Sequence, residues 1–110
     1  MQSFGQKIRD FRKTREKLLR QAAADLEIDQ AILSKLENGI LLPNTRMLQK
    51  LSEYYNVPLE ELKTLAHAEK IVRDYGHYEQ IHEVIGLVKE LLGNYELKRK
   101  EKQEDKKEVQ

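Results

Sequence analysis

Apolar side chains return along this chain at intervals of three and four residues, the period that lines them up on one face of a helix. Phe4, Ile8 and Phe11 mark a first such stripe over about 3–15, and Leu19, Ala22, Ala23 and Leu26 a second over about 18–26. Ile32, Leu33 and Leu36 give a third, Met47, Leu48, Leu51 and Tyr55 a fourth, and Leu59, Leu62 and Leu65 a fifth. Only two prolines and five glycines interrupt 110 residues, so breakers are scarce where helix formers are plentiful. The expected fold class is all-α: a five-helix bundle followed by one additional C-terminal helix.

The punctuation between stripes agrees with this division. Asp29 can cap the third helix by accepting from free N–H groups of its first turn, and Asn38-Gly39 supplies the left-handed residue on which helices end. Asn44 caps the fourth helix after the apolar loop Ile40-Leu41-Leu42-Pro43. Asn56 ends that helix, and Pro58 is tolerated in the first turn of the fifth, where a missing N–H costs nothing. The fifth helix can run on through Ile71, Val72 and Tyr75 to Gly76, with a sixth expected from His77. We expect a helical domain over 1–66, a C-terminal helical segment over 67–96 and a charged tail over 97–110 that is either a solvated helix extension or frayed and disordered.

Several function classes are disfavoured. No apolar run approaches the ~20 residues that span a bilayer, and no secretory signal pattern opens the sequence, so a soluble, cytoplasmic protein without membrane association is expected. Without cysteine there is no disulfide framework, thiol nucleophile or thiolate zinc site. His67, His77 and His82 share no i, i+4 face, and no glycine-rich phosphate loop or nucleophile–base arrangement stands out. Neither a metal, a cofactor nor an enzymatic activity is expected. Net charge is +1, from 20 Lys+Arg against 19 Asp+Glu, so charge alone names no partner. Its distribution is uneven: Lys7, Arg9, Arg12, Lys13, Arg15, Lys17 and Arg20 crowd the start. By default this run is a solvated face, with one or two members left to touch phosphate.

The informative unit is Leu18 to Glu37: a helix of about eight residues, a turn of about three, and a second helix with its own cap. At about 100° per residue, Ile32, Leu33 and Leu36 face inward while Gln30, Ala31, Ser34 and Lys35 share the opposite face. Those four are suited to the major groove: Gln pairs with an adenine edge, Ala touches a thymine methyl, Lys donates to guanine, and Ser reaches a base or phosphate. An ordinary solvated helix face would look the same in isolation.

Here the sequence resembles the Cro and phage-repressor (XRE-type) helix-turn-helix family over about 3–65. The resemblance is carried by Leu33-Ser34-Lys35-Leu36-Glu37-Asn38-Gly39, by Pro43-Asn44, and by Asn56-Val57-Pro58-Leu59-Glu60-Glu61-Leu62. It implies a repressor-like bundle whose third helix enters the major groove of double-stranded DNA, with Gln30, Ala31, Ser34 and Lys35 where the family reads bases. It also implies an ion pair between Arg12 and Glu37 that fixes the recognition helix. Where the family often has a phosphate-binding Gln near the start of helix two, this chain has Leu19, so phosphate contacts are expected from Arg20, Gln21, Thr45 and Arg46. Glu27 stands where a turn Gly is common, and Ile40-Leu41-Leu42 where relatives often carry cations, which lowers the expected nonspecific affinity.

In the C-terminal third, Ile81, Val84, Val88, Leu91 and Tyr95 are spaced 3, 4, 3, 4, a heptad seam that Ile85 and Leu92 widen. Such a face either covers the core of its own subunit or pairs with its copy; pairing is the favoured reading. A homodimer would set two recognition helices about 34 Å apart, one duplex turn, and demand a palindromic operator. Two functions therefore compete. One is a homodimeric transcriptional regulator, of the restriction-modification controller or phage-repressor kind. The other is an antitoxin-like module whose C-terminal helix and Ile40-Leu41-Leu42 loop bind a second protein, with DNA binding secondary.

Overall fold

The computed structural model describes residues 1–108, all helix and connection. The helices are α1 (Phe4–Thr14), α2 (Leu19–Asp25), α3 (Gln30–Glu37), α4 (Thr45–Tyr55), α5 (Leu59–Tyr75) and α6 (Ile81–Glu108). Each start has a chemical cause. Ser3 Oγ accepts from the Gln6 N–H while Gln6 Oε1 accepts from the Ser3 N–H, a reciprocal capping box on α1. Gln21 Oε1 accepts from the Leu18 N–H ahead of α2. Asp29 Oδ1 accepts from the Ala31 N–H at 2.7 Å, and Asn44 Oδ1 from the Met47 N–H at 2.8 Å. Pro58 stands one residue ahead of α5, where its carbonyl accepts from Glu61 and Leu62. Asn56, at φ 53°, turns the chain left-handed out of α4.

Two compact units divide the chain, Met1–Asp74 and Tyr75–Gln110. The core of the first is built from the inward stripes: Phe4 and Ile8 of α1, Ala22 and Ala23 of α2, Leu33 and Leu36 of α3, Leu48, Leu51 and Tyr55 of α4, and Leu62 and Ala66 of α5. Phe11, Leu19, Ile32, Met47 and Leu59 pack against it half-buried. At about 1.5–3 kcal/mol for each fully buried large apolar side chain, this burial is what assembles the short helices, none of which is stable alone.

The boundary expected at 66/67 falls inside an unbroken helix. Ala66 is still buried, and one turn later Glu69 Oε1 accepts from the Phe4 N–H at 2.6 Å, so α5 stays engaged with the first unit to Asp74. In the second unit, hydrogen bonds from Tyr78 to Tyr75 and from Ile81 to Tyr78 make a pair of turns after Gly76, and α6 opens at Ile81 rather than His77. It continues through Glu108, so the tail expected from residue 97 is a helical extension; Val109 and Gln110 lie outside the described residues. Ile81 and Val84 are half-buried, while Ile85, Val88, Leu91, Leu92 and Tyr95 are exposed.

Candidate nucleic-acid interface

The turn from α2 to α3 is set by burial at both ends. Leu26 is buried at the end of α2, Ile28 half-buried, and the Ile28 N–H reaches back to the Ala23 carbonyl at 3.0 Å. Between them Glu27 takes φ 57°, a left-handed conformation unusual for a side chain with a Cβ. Asp29 then restarts the helix.

On α3 the two faces separate cleanly. Leu33, Leu36 and Glu37 are buried, Ile32 and Ser34 half-buried, and Gln30, Ala31 and Lys35 exposed. Ser34 Oγ accepts from the Asn38 side-chain amide at 3.3 Å. The structure thus brings Gln30, Ala31, Ser34 and Lys35 onto one short helix. Arg20 and Gln21 lie in the first turn of α2, and Thr45 and Arg46 open α4, all four exposed; the Gln21 carbonyl oxygen is already used in capping α2.

Glu37 is the one buried charged side chain of the described residues, at 4% exposure. The Arg12 guanidinium meets it with a fork: Nε donates to Oε2 at 2.8 Å and Nη2 to Oε1 at 2.9 Å, while Nη1 donates to the Lys17 carbonyl at 2.9 Å. The hydrogen bond to Glu37 raises the Arg12 pKa above its ordinary value, against an opposing effect of burial. Arg9 Nε lies 3.5 Å from Glu37 Oε1, and Arg9 also donates to the Asn38 side chain. One carboxylate therefore fastens α1 and the loop before α2 to the C-terminal end of α3.

The basic run at the start is largely consumed inside the domain. Lys7 pairs with Glu61, Arg9 and Arg12 with Glu37, and Lys17 with Asp25. Arg15 donates to the Tyr54 carbonyl and lies over the rings of Tyr54 and Tyr55, 5.7 and 5.5 Å from their centroids. Among the described residues, Lys13 and Arg20 are the members of that run without such a partner. Beside Lys17, the Tyr54 hydroxyl donates to Asp25 Oδ2 at 2.5 Å; this bond, ahead of Lys17, lowers the Asp25 pKa, and partial burial with Asp25 nearby pushes the Tyr54 phenol up to about 12.

Three contacts that hold α1 and the end of α3 carry no signal in the sequence. Gly5 lies so close to the end of α3 that a Cβ there would stand 2.4 Å from the Glu37 carbonyl oxygen and 2.7 Å from that of Leu36. Arg73, near the end of α5, donates through Nη2 to the carbonyls of Gly39 at 2.7 Å and Ile40 at 3.2 Å. Glu69 holds the start of α1. In the sequence the two charged residues are ordinary members of a polar helix face, and their partners are more than thirty residues away.

A family model described as Helix-turn-helix matches residues 8–62 of this chain. The chain belongs to the helix-turn-helix family. This agrees with its resemblance to the Cro and phage-repressor (XRE-type) group. Among curated helix-turn-helix proteins it is 36% identical over 67 residues to the uncharacterised HTH-type transcriptional regulator RghRB of Bacillus subtilis (strain 168), covering 60% of this chain and 48% of that one. It is 31% identical over 84 residues to the HTH-type transcriptional repressor RghR of the same organism, covering 76% of this chain and 56% of the relative. The chain thus spans about half the length of the curated relatives it matches. A solved structure of the SinR protein/SinI protein complex superposes with a TM-score of 0.50 at 26% identity, over 82% of this chain and 98% of that one. The family match ends at residue 62, so the α5 residues Glu69 and Arg73 lie beyond it.

Proposed function

We propose that this chain is a sequence-specific, double-stranded-DNA-binding transcriptional regulator that acts in the cytoplasm as a homodimer on a palindromic operator. The observation that carries the reading is the division of α3. Its inner face is buried and fastened to α1 by the Arg12–Glu37 fork, and its outer face displays Gln30, Ala31, Ser34 and Lys35. A rigid helix presenting short polar side chains and one cation is what base readout in the major groove requires. Arg20, Gln21, Thr45 and Arg46 supply the flanking phosphate contacts that set its register. The similarity to RghR, a transcriptional repressor, supports repression as the output.

Pairing through α6 supplies the second recognition helix. Ile81, Val84, Ile85, Val88, Leu91, Leu92 and Tyr95 form its apolar seam, most of it solvent-exposed in a single chain. The same exposure, with a complex of the SinR and SinI proteins as a structural neighbour, favours a second reading in which α6 also receives a different polypeptide.

The test is selection of bound sequences from random duplexes, repeated with Lys35→Ala. The variant should bind the selected operator more weakly and relax the preference at one base pair by about 1–3 kcal/mol. No sequence preference from a folded, dimeric protein would favour the protein-binding reading. Equal loss on specific and random duplexes would reassign Lys35 to phosphate.

A further inference from the structure

Arg73 and the loop that follows α3 form one hydrogen-bonded assembly. After Glu37 the chain turns left-handed at Gly39, φ 74°, and folds back over the last turn of α3: the Ile40 and Leu41 N–H groups both donate to the Lys35 carbonyl, at 2.9 and 3.2 Å. The outward side of that same loop is gripped from α5, where Arg73 Nη2 reaches the Gly39 and Ile40 carbonyls. A guanidinium is suited to this. It is permanently charged, its donors are held in a plane, and a cation beside the carbonyl end of a helix is favoured by the helix dipole. One turn earlier on α5, Glu69 places a carboxylate on the free Phe4 N–H at the opposite, positive end of α1. The second half of α5, outside the region the family match covers, thus holds the reading domain at two helix ends of opposite polarity.

We infer that Arg73 is a positioning residue for Lys35. By pinning the Gly39–Ile40 carbonyls it fixes the loop that wraps the Lys35 backbone, and so fixes the C-terminal half of the reading face. Gln30, at the N-terminal end of α3, is held by the Asp29 cap instead and is independent of Arg73. The inference rests on the reading of α3 as the base-reading helix, and it makes the two ends of that helix separately adjustable.

The experiment is sequence selection from random duplexes with the full chain, comparing wild type, Lys35→Ala, Gln30→Ala, Arg73→Ala and Arg73→Lys. The first two variants identify the base pairs read at each end. Arg73→Ala should lower the preference at the Lys35 base pair about threefold to tenfold and leave the Gln30 base pair unchanged. Arg73→Lys, which keeps a charged donor, should recover most of that preference. In the free protein, amide exchange of Ile40 and Leu41 should quicken at least about threefold in Arg73→Ala, because the loop then opens locally. An unaltered selection profile, or a uniform loss at every base pair, would overturn the inference; the uniform loss is what a merely structural role produces. Wild type that selects no sequence would remove the base-reading assignment instead, and the amide exchange would still report whether Arg73 holds the loop. If Arg73→Ala does not fold, Arg73→Gln, which removes the charge and keeps the bulk, carries the same comparison.

Discussion

Replacing Gly5 with alanine adds one methyl group, and its effect follows from where that carbon must go. The new Cβ would lie 2.4 Å from the Glu37 carbonyl oxygen, 2.7 Å from the Leu36 carbonyl oxygen and 2.9 Å from the Glu37 carbonyl carbon. All three are backbone atoms, so no side-chain rotation relieves the overlap, and either α1 or the end of α3 has to move. Forcing extra carbon into a packed contact costs about 1–3 kcal/mol, and three overlaps against backbone put this site at the upper end. Alanine returns up to ~1 kcal/mol of helix propensity over glycine, less in a first turn. The net loss is about 2 kcal/mol, which for a unit of this size lowers Tm by roughly 8–16 °C. Thermal unfolding followed by circular dichroism measures it, with Gly93→Ala as the matched control, since nothing lies within 4 Å of a Cβ there. A Tm for Gly5→Ala equal to or above wild type would show that α1 and α3 are not held at this separation, and the account of how α3 is fixed would fail with it.

Arg12→Ala strands the Glu37 carboxylate in the core with Arg9 alone nearby, and should destabilise by about 3 kcal/mol in urea titration; the double change Arg12→Met with Glu37→Leu should lose less, because it buries no lone charge. Asp25 titrates below its ordinary value through its bond from Tyr54 and its pair with Lys17. Its stabilisation is therefore full above a pH of about 4 and disappears as pH falls through the lowered folded value, so the stability gap between wild type and Asp25→Asn should close on acidification. The Tyr54 phenol, raised to about 12, contributes stability below pH ~10 that is lost on rising toward 12; phenolate absorbance should show two delayed tyrosines, Tyr54 and Tyr55, whose phenol burial also pushes up, and Tyr54→Phe should remove one of the two. Val84→Glu with Val88→Glu should give monomers by sedimentation, with the first unit still helical and operator affinity at least ~100-fold weaker through lost bivalency; a persistent dimer would place the subunit interface elsewhere.

Local chemistry was the legible part of this chain. Asp29 and Asn44 could be recognised as caps, and Asn56 and Gly39 as helix ends, because each acts on backbone within four residues of itself. The inward stripes were legible for the same reason, since helical period alone decides which side chains share a face. What escaped, apart from the Arg12–Glu37 pair that the resemblance implied, were contacts between distant elements. Lys7, Arg9, Arg15 and Lys17 were visible as charge, but their partners Glu61, Glu37, Tyr54 and Asp25 come together only after folding, and the run read as a solvated face. Glu69 and Arg73 sit on a stretch with no breaker before Gly76, so the sequence showed that the helix continues without showing what it touches. The reading face of α3 was named from period and resemblance together; period alone could not separate it from any other exposed polar face.

The separation of faces on α3 also bears on how such a protein can diversify. Leu33, Leu36 and Glu37 meet the core and the Arg12 fork, whereas Gln30, Ala31 and Lys35 touch neither. Mutations on the outer positions are therefore nearly free of folding penalty, while those on the inner positions are selected against at once. After gene duplication the outer surface of α3 can drift through many combinations on an unchanged scaffold, and two descendants can come to differ in what that helix recognises long before they differ in fold.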